Sequence, residues 1–131
     1  VPTFSDKSAE KLATCHPDLQ RLFNEVIKSV DCTVLEGHRG KERQEEAYKN
    51  GYSKTPWPES KHNSIPSRAC DVVKYPVDFK SADARDYYFL AGYVLSTAER
   101  LGIKIRWGGD WDSDRNLKNQ KFYDLPHFEL C

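Results

Sequence analysis

Leu19, Leu22, Phe23, Val26, Ile27 and Val30 recur at three- and four-residue intervals, the period of one buried helix face. The pattern predicts helix over about residues 7–30. Pro17 suits a first helical turn but not a helix interior, so it divides this stretch into a short helix and a longer one. Cys32-Thr33-Val34-Leu35-Glu36 reads as a strand ending at Gly37. Lys41 to Lys49 reads as a short polar helix closed by Asn50-Gly51. Residues 52–68, rich in Pro, Ser and Lys, form a long loop, and such a loop in a small domain is functional or disordered. Ala69 to Tyr75 reads as the next strand. From about 83 to 101, Tyr87, Ala91, Val94, Leu95, Ala98 and Leu101 mark a second amphipathic helix, with Gly102 as its stop. Ile103 to Trp107 is a strand, Gly108-Gly109-Asp110-Trp111 turns the chain, and His127 to Leu130 is a last short strand. Helices and strands mix without a βαβ rhythm, which predicts an α+β fold.

Composition narrows the class. A chain of 131 residues suits one compact domain spanning 1–131. Twenty Lys and Arg balance twenty Asp and Glu, so nothing pulls the chain electrostatically toward nucleic acid or an anionic membrane. Mean hydropathy is negative, as expected of a soluble protein, and no apolar run approaches the roughly 18 residues that span a bilayer. The start, Val1-Pro2-Thr3-Phe4-Ser5-Asp6, lacks a secretory signal pattern, and without an initial Met it reads as processed or trimmed. Cys15, Cys32, Cys70 and Cys131 have no zinc-knuckle spacing and are expected as reduced thiols.

Two short clusters carry the candidate chemistry. One is Ser60-Lys61-His62-Asn63, followed by Ala69-Cys70-Asp71; the other is Asp124-Leu125-Pro126-His127-Phe128-Glu129. Two histidines and a carboxylate, His62, His127 and Asp71, are a ligand set for catalytic zinc that leaves the fourth tetrahedral position for water. Asp124, three residues before His127, is placed to handle that water's proton. Pro126 argues against a helix here. In a strand, His127 and Glu129 share one face while Phe128 and Leu130 point to the core. His16, before Pro17, reads as a capping or surface residue, and His38 at most lines the cleft. Ser8-Ala9-Glu10-Lys11 matches the S-x-x-K of serine penicillin-binding enzymes, but its partner motifs are absent and a helix start explains it.

Ser60-x-His62, Ala69-x-Asp71 and Asp124-x-x-His127 together resemble the zinc peptidases that include D-Ala-D-Ala dipeptidases, D,D-carboxypeptidases and phage endolysins, whose fold is shared with the Hedgehog signalling domain. Gly37-His38-Arg39 with Arg43-Gln44, Pro56-Trp57-Pro58, Lys74-Tyr75-Pro76 and Trp107-Gly108-Gly109-Asp110-Trp111 extend the resemblance, which is closest to phage L-alanyl-D-glutamate endopeptidases. It implies an antiparallel sheet flanked by helices. It also implies His62, Asp71 and His127 as ligands of Zn2+. Asp124 then acts as the base, one methylene shorter than the Glu of many members, with Glu129 as the alternative. Arg39 lies near the scissile carbonyl in the family, where it would stabilise an oxyanion; a surface salt bridge is its other reading. Gln44 would orient Arg39. Ser60 would bond near the metal or cap its loop, and Asp110 and Trp111 would line the substrate groove.

The expected reaction is hydrolysis of the L-Ala–D-Glu bond in the peptidoglycan stem. The rivals are a D,D-carboxypeptidase or dipeptidase, which needs a cation such as Lys61 or Arg68 for a terminal carboxylate, and a non-catalytic Hedgehog-like zinc module. The resemblance further implies a monomeric endolysin that accumulates in the host cytoplasm and reaches the periplasm through a holin.

Overall fold

Strand alternation builds a two-faced sheet, and the helices follow from it. The structure, a computed structural model, describes residues 1–80 and 83–131. Strands β1 (Cys32–Glu36), β2 (Ala69–Lys74), β3 (Ile105–Trp107) and β4 (His127–Leu130) lie in the order β1-β2-β4-β3, each neighbouring pair antiparallel. Register partners share a face and successive residues alternate between faces. One face therefore carries Val34, Cys70, Val72, Trp107, Phe128 and Leu130, all buried. The other carries Asp71, His127 and Glu129. An irregularity in β1 between Val34 and Glu36 passes over Leu35, so Glu36 stands opposite Asp71 on the polar face. Bulges of this kind re-aim side chains beside functional sites.

Helices cover the apolar face. In α2 (Pro17–Val26) the buried residues are Leu19, Leu22, Phe23 and Val26. In α4 (Arg85–Leu101) the apolar ones are Leu90, Ala91, Val94 and Ala98. Phe23 meets Phe128 edge-on, ring centroids 5.6 Å apart, joining helix and sheet at the centre of the core. Each such side chain contributes about 1.5–3 kcal/mol by leaving water. The short helix α1 (Asp6–Leu12) packs on β1, where the Ser8 hydroxyl accepts the Val34 amide at 3.0 Å. Helix α3 (Lys41–Lys49) is polar apart from Ala47 and buries Gln44.

The sequence pattern located these elements with differences at several limits: β3 begins at Ile105 rather than Ile103, and β2 stops at Lys74 rather than Tyr75. Helix α2 ends at Val26, yet Ile27 and Val30 remain buried in the turn beyond it. The α4 stripe runs through Leu90 and Thr97, leaving Tyr87, Leu95 and Leu101 half-buried. The 52–68 loop contains a 3-10 helix, Lys61–Asn63, too short to show a period. Gly102, at φ 73°, closes α4 in the left-handed conformation that glycine tolerates. The fold is α+β with an antiparallel sheet, as expected. Among the described residues, no helix is long and apolar enough to cross a membrane.

Candidate metal centre

Asp71 and His127 are register partners across β2 and β4, so their side chains leave the sheet side by side. His62 arrives from the 3-10 helix, whose start is held by a capping box. The Ser60 hydroxyl accepts the His62 amide at 3.2 Å, and the Asn63 side-chain oxygen accepts the Ser60 amide at 3.1 Å. Three donor atoms converge as a result. His62 Nε2 lies 3.2 Å from Asp71 Oδ1 and 3.3 Å from His127 Nδ1, which is itself 3.3 Å from Asp71 Oδ1. Metal–ligand bonds of about 2.0–2.1 Å in tetrahedral geometry separate adjacent ligands by about 3.3 Å. The triangle thus has the edge length of a tetrahedral site before any ion is considered, and the residues fit a metal of zinc's size.

Each donor is aimed by a second partner, as metal ligands usually are. The Gly37 carbonyl can only accept, so the 2.8 Å contact fixes a proton on His62 Nδ1 and leaves Nε2 as the donor to a metal. His127 Nε2–H donates to Glu129 Oε1 at 2.8 Å, leaving Nδ1 for the metal. Asp71 Oδ2 lies 3.6 Å from the Arg39 guanidinium. Glu129 is therefore an orienting carboxylate, held also by Lys61 Nζ at 3.3 Å. Its sequence spacing gave no sign of this use.

Burial alone would raise the Asp71 carboxyl, but the charges and hydrogen bonds of His62 and His127 outweigh it and hold Asp71 well below the usual carboxylate range. Burial would lower His127, yet hydrogen bonds to Asp71 and Glu129 push it up to about 9. Asp124 behaves differently. Burial, then the nearby Asp71 charge, raises it to about 6, close to the pH at which a general base works best. Its Oδ2 lies 3.8 Å from His127 Nδ1, beside the triangle and outside it. Gly108 positions it: the Asp124 amide donates to the Gly108 carbonyl at 2.9 Å, and the Gly108 amide donates to the His127 carbonyl at 2.8 Å.

Arg39 is a node. Its Nε donates to Glu36 Oε1 at 2.5 Å and its Nη1 to Gln44 Oε1 at 3.0 Å, so the side chain is fixed and nine-tenths buried. It still borders the cleft over the metal centre. Glu36 drew no attention in the sequence; its signal is a carboxylate three residues before Arg39 at the end of β1. Gln44, expected beside Arg39 and at the substrate, accepts from the Arg39 guanidinium but is fully buried and does not line the cleft.

The cleft measures about 600 Å³ and runs between the 52–61 loop and the 119–124 segment. Trp111 lines it, its ring 5.3 Å from that of His127 and 6.4 Å from that of Phe122. Ser60 borders it too, with its hydroxyl engaged in the loop cap. Asp110 does not reach the cleft: its carboxylate accepts the Arg115 amide at 2.9 Å and turns into the loop beyond. His38 stands away as well, its amide donating to Thr14 Oγ1 at 2.9 Å. His16 caps α2, its Nδ1 accepting the Asp18 amide at 3.0 Å. All four cysteines are free, and only Cys131 is exposed.

Comparison with known proteins finds similarity along nearly the whole chain. The profile of a family described as phage L-alanyl-D-glutamate peptidase matches residues 1–131. The crystal structure of the Serratia marcescens L-Ala D-Glu endopeptidase ChiX is similar, with a TM-score of 0.74 and 32% sequence identity over 98% of this chain and 90% of that one. No curated protein matches the chain by sequence.

Proposed function

The chain belongs to the phage L-alanyl-D-glutamate peptidase family, and we propose that it is a zinc-dependent endolysin that hydrolyses the L-Ala–D-Glu bond of the peptidoglycan stem peptide. The observation that carries the reading is the 3.2–3.3 Å triangle of His62, Asp71 and His127 with the Asp124 carboxylate beside it. When bound there, a zinc ion supplies Lewis acidity, making water a nucleophile near neutral pH and polarising the scissile carbonyl.

The chain's own residues do the rest. Asp124 takes the proton of the attacking water and returns it to the leaving amine, a transfer the poor leaving group requires. Arg39, fixed by Glu36 and Gln44, presents its guanidinium to the carbonyl oxygen as charge develops there. Glu129 and the Gly37 carbonyl hold the two imidazoles in their tautomers. Trp111 and Phe122 form an aromatic wall along which the stem peptide lies.

The two cations considered for a carboxypeptidase are already engaged, Lys61 within the cleft and Arg68 beyond it. Lys61 Nζ contacts Glu129 and the Leu130 carbonyl, and Arg68 donates to the Cys131 carbonyl at 3.2 Å, outside the cleft. This favours internal cleavage. The enzyme acts as a monomer on the stem peptide, with neither nucleic acid nor membrane as a partner. It accumulates in the host cytoplasm and meets its substrate in the periplasm after holin opening. Mass spectrometry of digested peptidoglycan tests the reading: new amino groups on D-Glu are expected, whereas free D-Ala as sole product overturns it.

A further inference from the structure

The cleft over the metal centre holds positive charge that the reaction does not use. Arg39, Lys54, Lys61 and Lys121 all line it. Arg39 is bound to Glu36 and Gln44, and Lys61 to Glu129. Among the described residues, no carboxylate lies within ion-pairing reach of Lys54 or Lys121. The chain as a whole has no excess of positive charge, so these two unpaired cations are a local feature of the cleft.

Their place along the cleft is defined. The Lys54 ammonium lies over the Phe122 ring, 5.1 Å from its centroid, at the distance of a cation–π contact. Phe122 stacks on Trp111, and Trp111 leans on His127. A row of rings thus leads from a metal ligand out to Lys54. Lys121 adjoins Phe122 in the chain and lines the same wall. An extended peptide advances ~3.3–3.6 Å per residue. With a scissile carbonyl at the metal, the next two or three residues would therefore lie along these rings, within reach of the two ammonium groups.

The two halves of the stem peptide differ in charge. Before the scissile bond, L-Ala joins the lactyl group of muramic acid through an amide and carries no charge. After it, D-Glu continues the chain through its γ-carboxyl, which leaves its α-carboxylate free. A diaminopimelate residue in the next position adds a second carboxylate. We propose that Lys54 and Lys121 bind the carboxylates of this leaving half, and so seat the stem peptide with that half along Trp111 and Phe122. The proposal rests on the peptidase reading. It adds to that reading a direction for the substrate and a requirement for negative charge beyond the scissile bond. Both lysines stand outside the metal triangle, so they act on binding and direction.

Three synthetic peptides, each capped as an amide at its C-terminus, test it with zinc-loaded protein. One is N-acetyl-L-Ala-γ-D-Glu-diaminopimelate. The second has the D-Glu α-carboxyl amidated, and the third the side-chain carboxyl of diaminopimelate. Amidation should lower kcat/KM ~5-fold, chiefly through KM, as expected for loss of an exposed ion pair. Comparing the two amides identifies which carboxylate is held. The preference should shrink in ~1 M salt, which screens exposed charges. Lys54→Gln with Lys121→Gln should erase it, with zinc content unchanged, whereas Lys54→Arg with Lys121→Arg should keep it. Two results overturn the proposal: both amides cleaved by the parent chain as well as the acid or better, or a preference that survives in the glutamine double variant. Cleavage of none of the three at the L-Ala–D-Glu bond overturns the peptidase reading itself, and this proposal with it.

Discussion

Gly108 and Asp124 are in van der Waals contact through their backbones: a methyl group on residue 108 would lie 2.0 Å from the Asp124 carbonyl oxygen. The obstacle is main chain, which cannot swing aside. Gly108→Ala should therefore push the 124–126 segment outward and carry the Asp124 carboxylate from its place beside His127. A stability loss of about 1–3 kcal/mol is expected, as for other overpacked sites, and a larger proportional loss in kcat/KM than in bound metal. Unchanged kcat/KM in a folded variant would remove Gly108 from the positioning of Asp124.

The metal centre makes three separate demands. His62→Ala, Asp71→Ala and His127→Ala should each lose zinc and activity together, because each removes one corner of the triangle. Metal analysis after dialysis, set beside turnover, checks this. Full zinc occupancy in all three variants means the ion sits elsewhere.

The two acidic neighbours of His127 should separate cleanly. Asp124→Asn should retain zinc and lose ~10²–10⁴ in kcat, the usual contribution of a general base. Glu129→Gln should weaken zinc ~10–100-fold, as removal of a ligand's hydrogen-bond partner does, and regain much of its rate at saturating metal. The opposite pattern, with Asp124→Asn active and Glu129→Gln dead at full occupancy, would exchange their roles.

Zinc affinity should depend on pH with a defined sign. His127, raised to about 9 in the metal-free protein, carries a proton at neutral pH on the nitrogen that would face the ion. That proton must leave before Nδ1 can donate. Affinity should fall about tenfold for each unit that pH drops below about 9. Calorimetry in buffers of different ionisation enthalpy should count about one proton released near pH 7. Release of none would mean that His127 is already neutral in the free protein.

How far the sequence reveals the molecule varies by element. β1 and α3 end where Gly37 and Asn50-Gly51 punctuate the chain, β4 begins just after Pro126, and these limits were readable in the sequence. His62, Asp71 and His127 were readable as a chemical set, because two imidazoles and a carboxylate near motif-like neighbours have few other uses together. The supporting contacts were not. Glu36 reaches the polar face, where it holds Arg39, through an irregularity in β1 that strict alternation hides, since a regular strand would turn it toward the core. Asp110 was expected in the groove together with Trp111, but neighbours on a tight turn point in different directions. Gln44 was placed rightly beside Arg39, and only burial shows that no substrate reaches it.

The pairing of Asp71 with His127 has a consequence for folding. Slipping β2 by one residue against β4 would set Cys70 or Val72 opposite His127 and turn Asp71 into the core. Only one alignment of the two strands presents carboxylate and imidazole together, so only that alignment is rewarded by binding an ion. At free metal ~1,000-fold above Kd, the reward is about 4 kcal/mol, enough to separate the native alignment from its nearest mispairing. Chemistry and assembly would then read the same two positions, and an ion bound there would act as a proofreader of how the central strands are laid together.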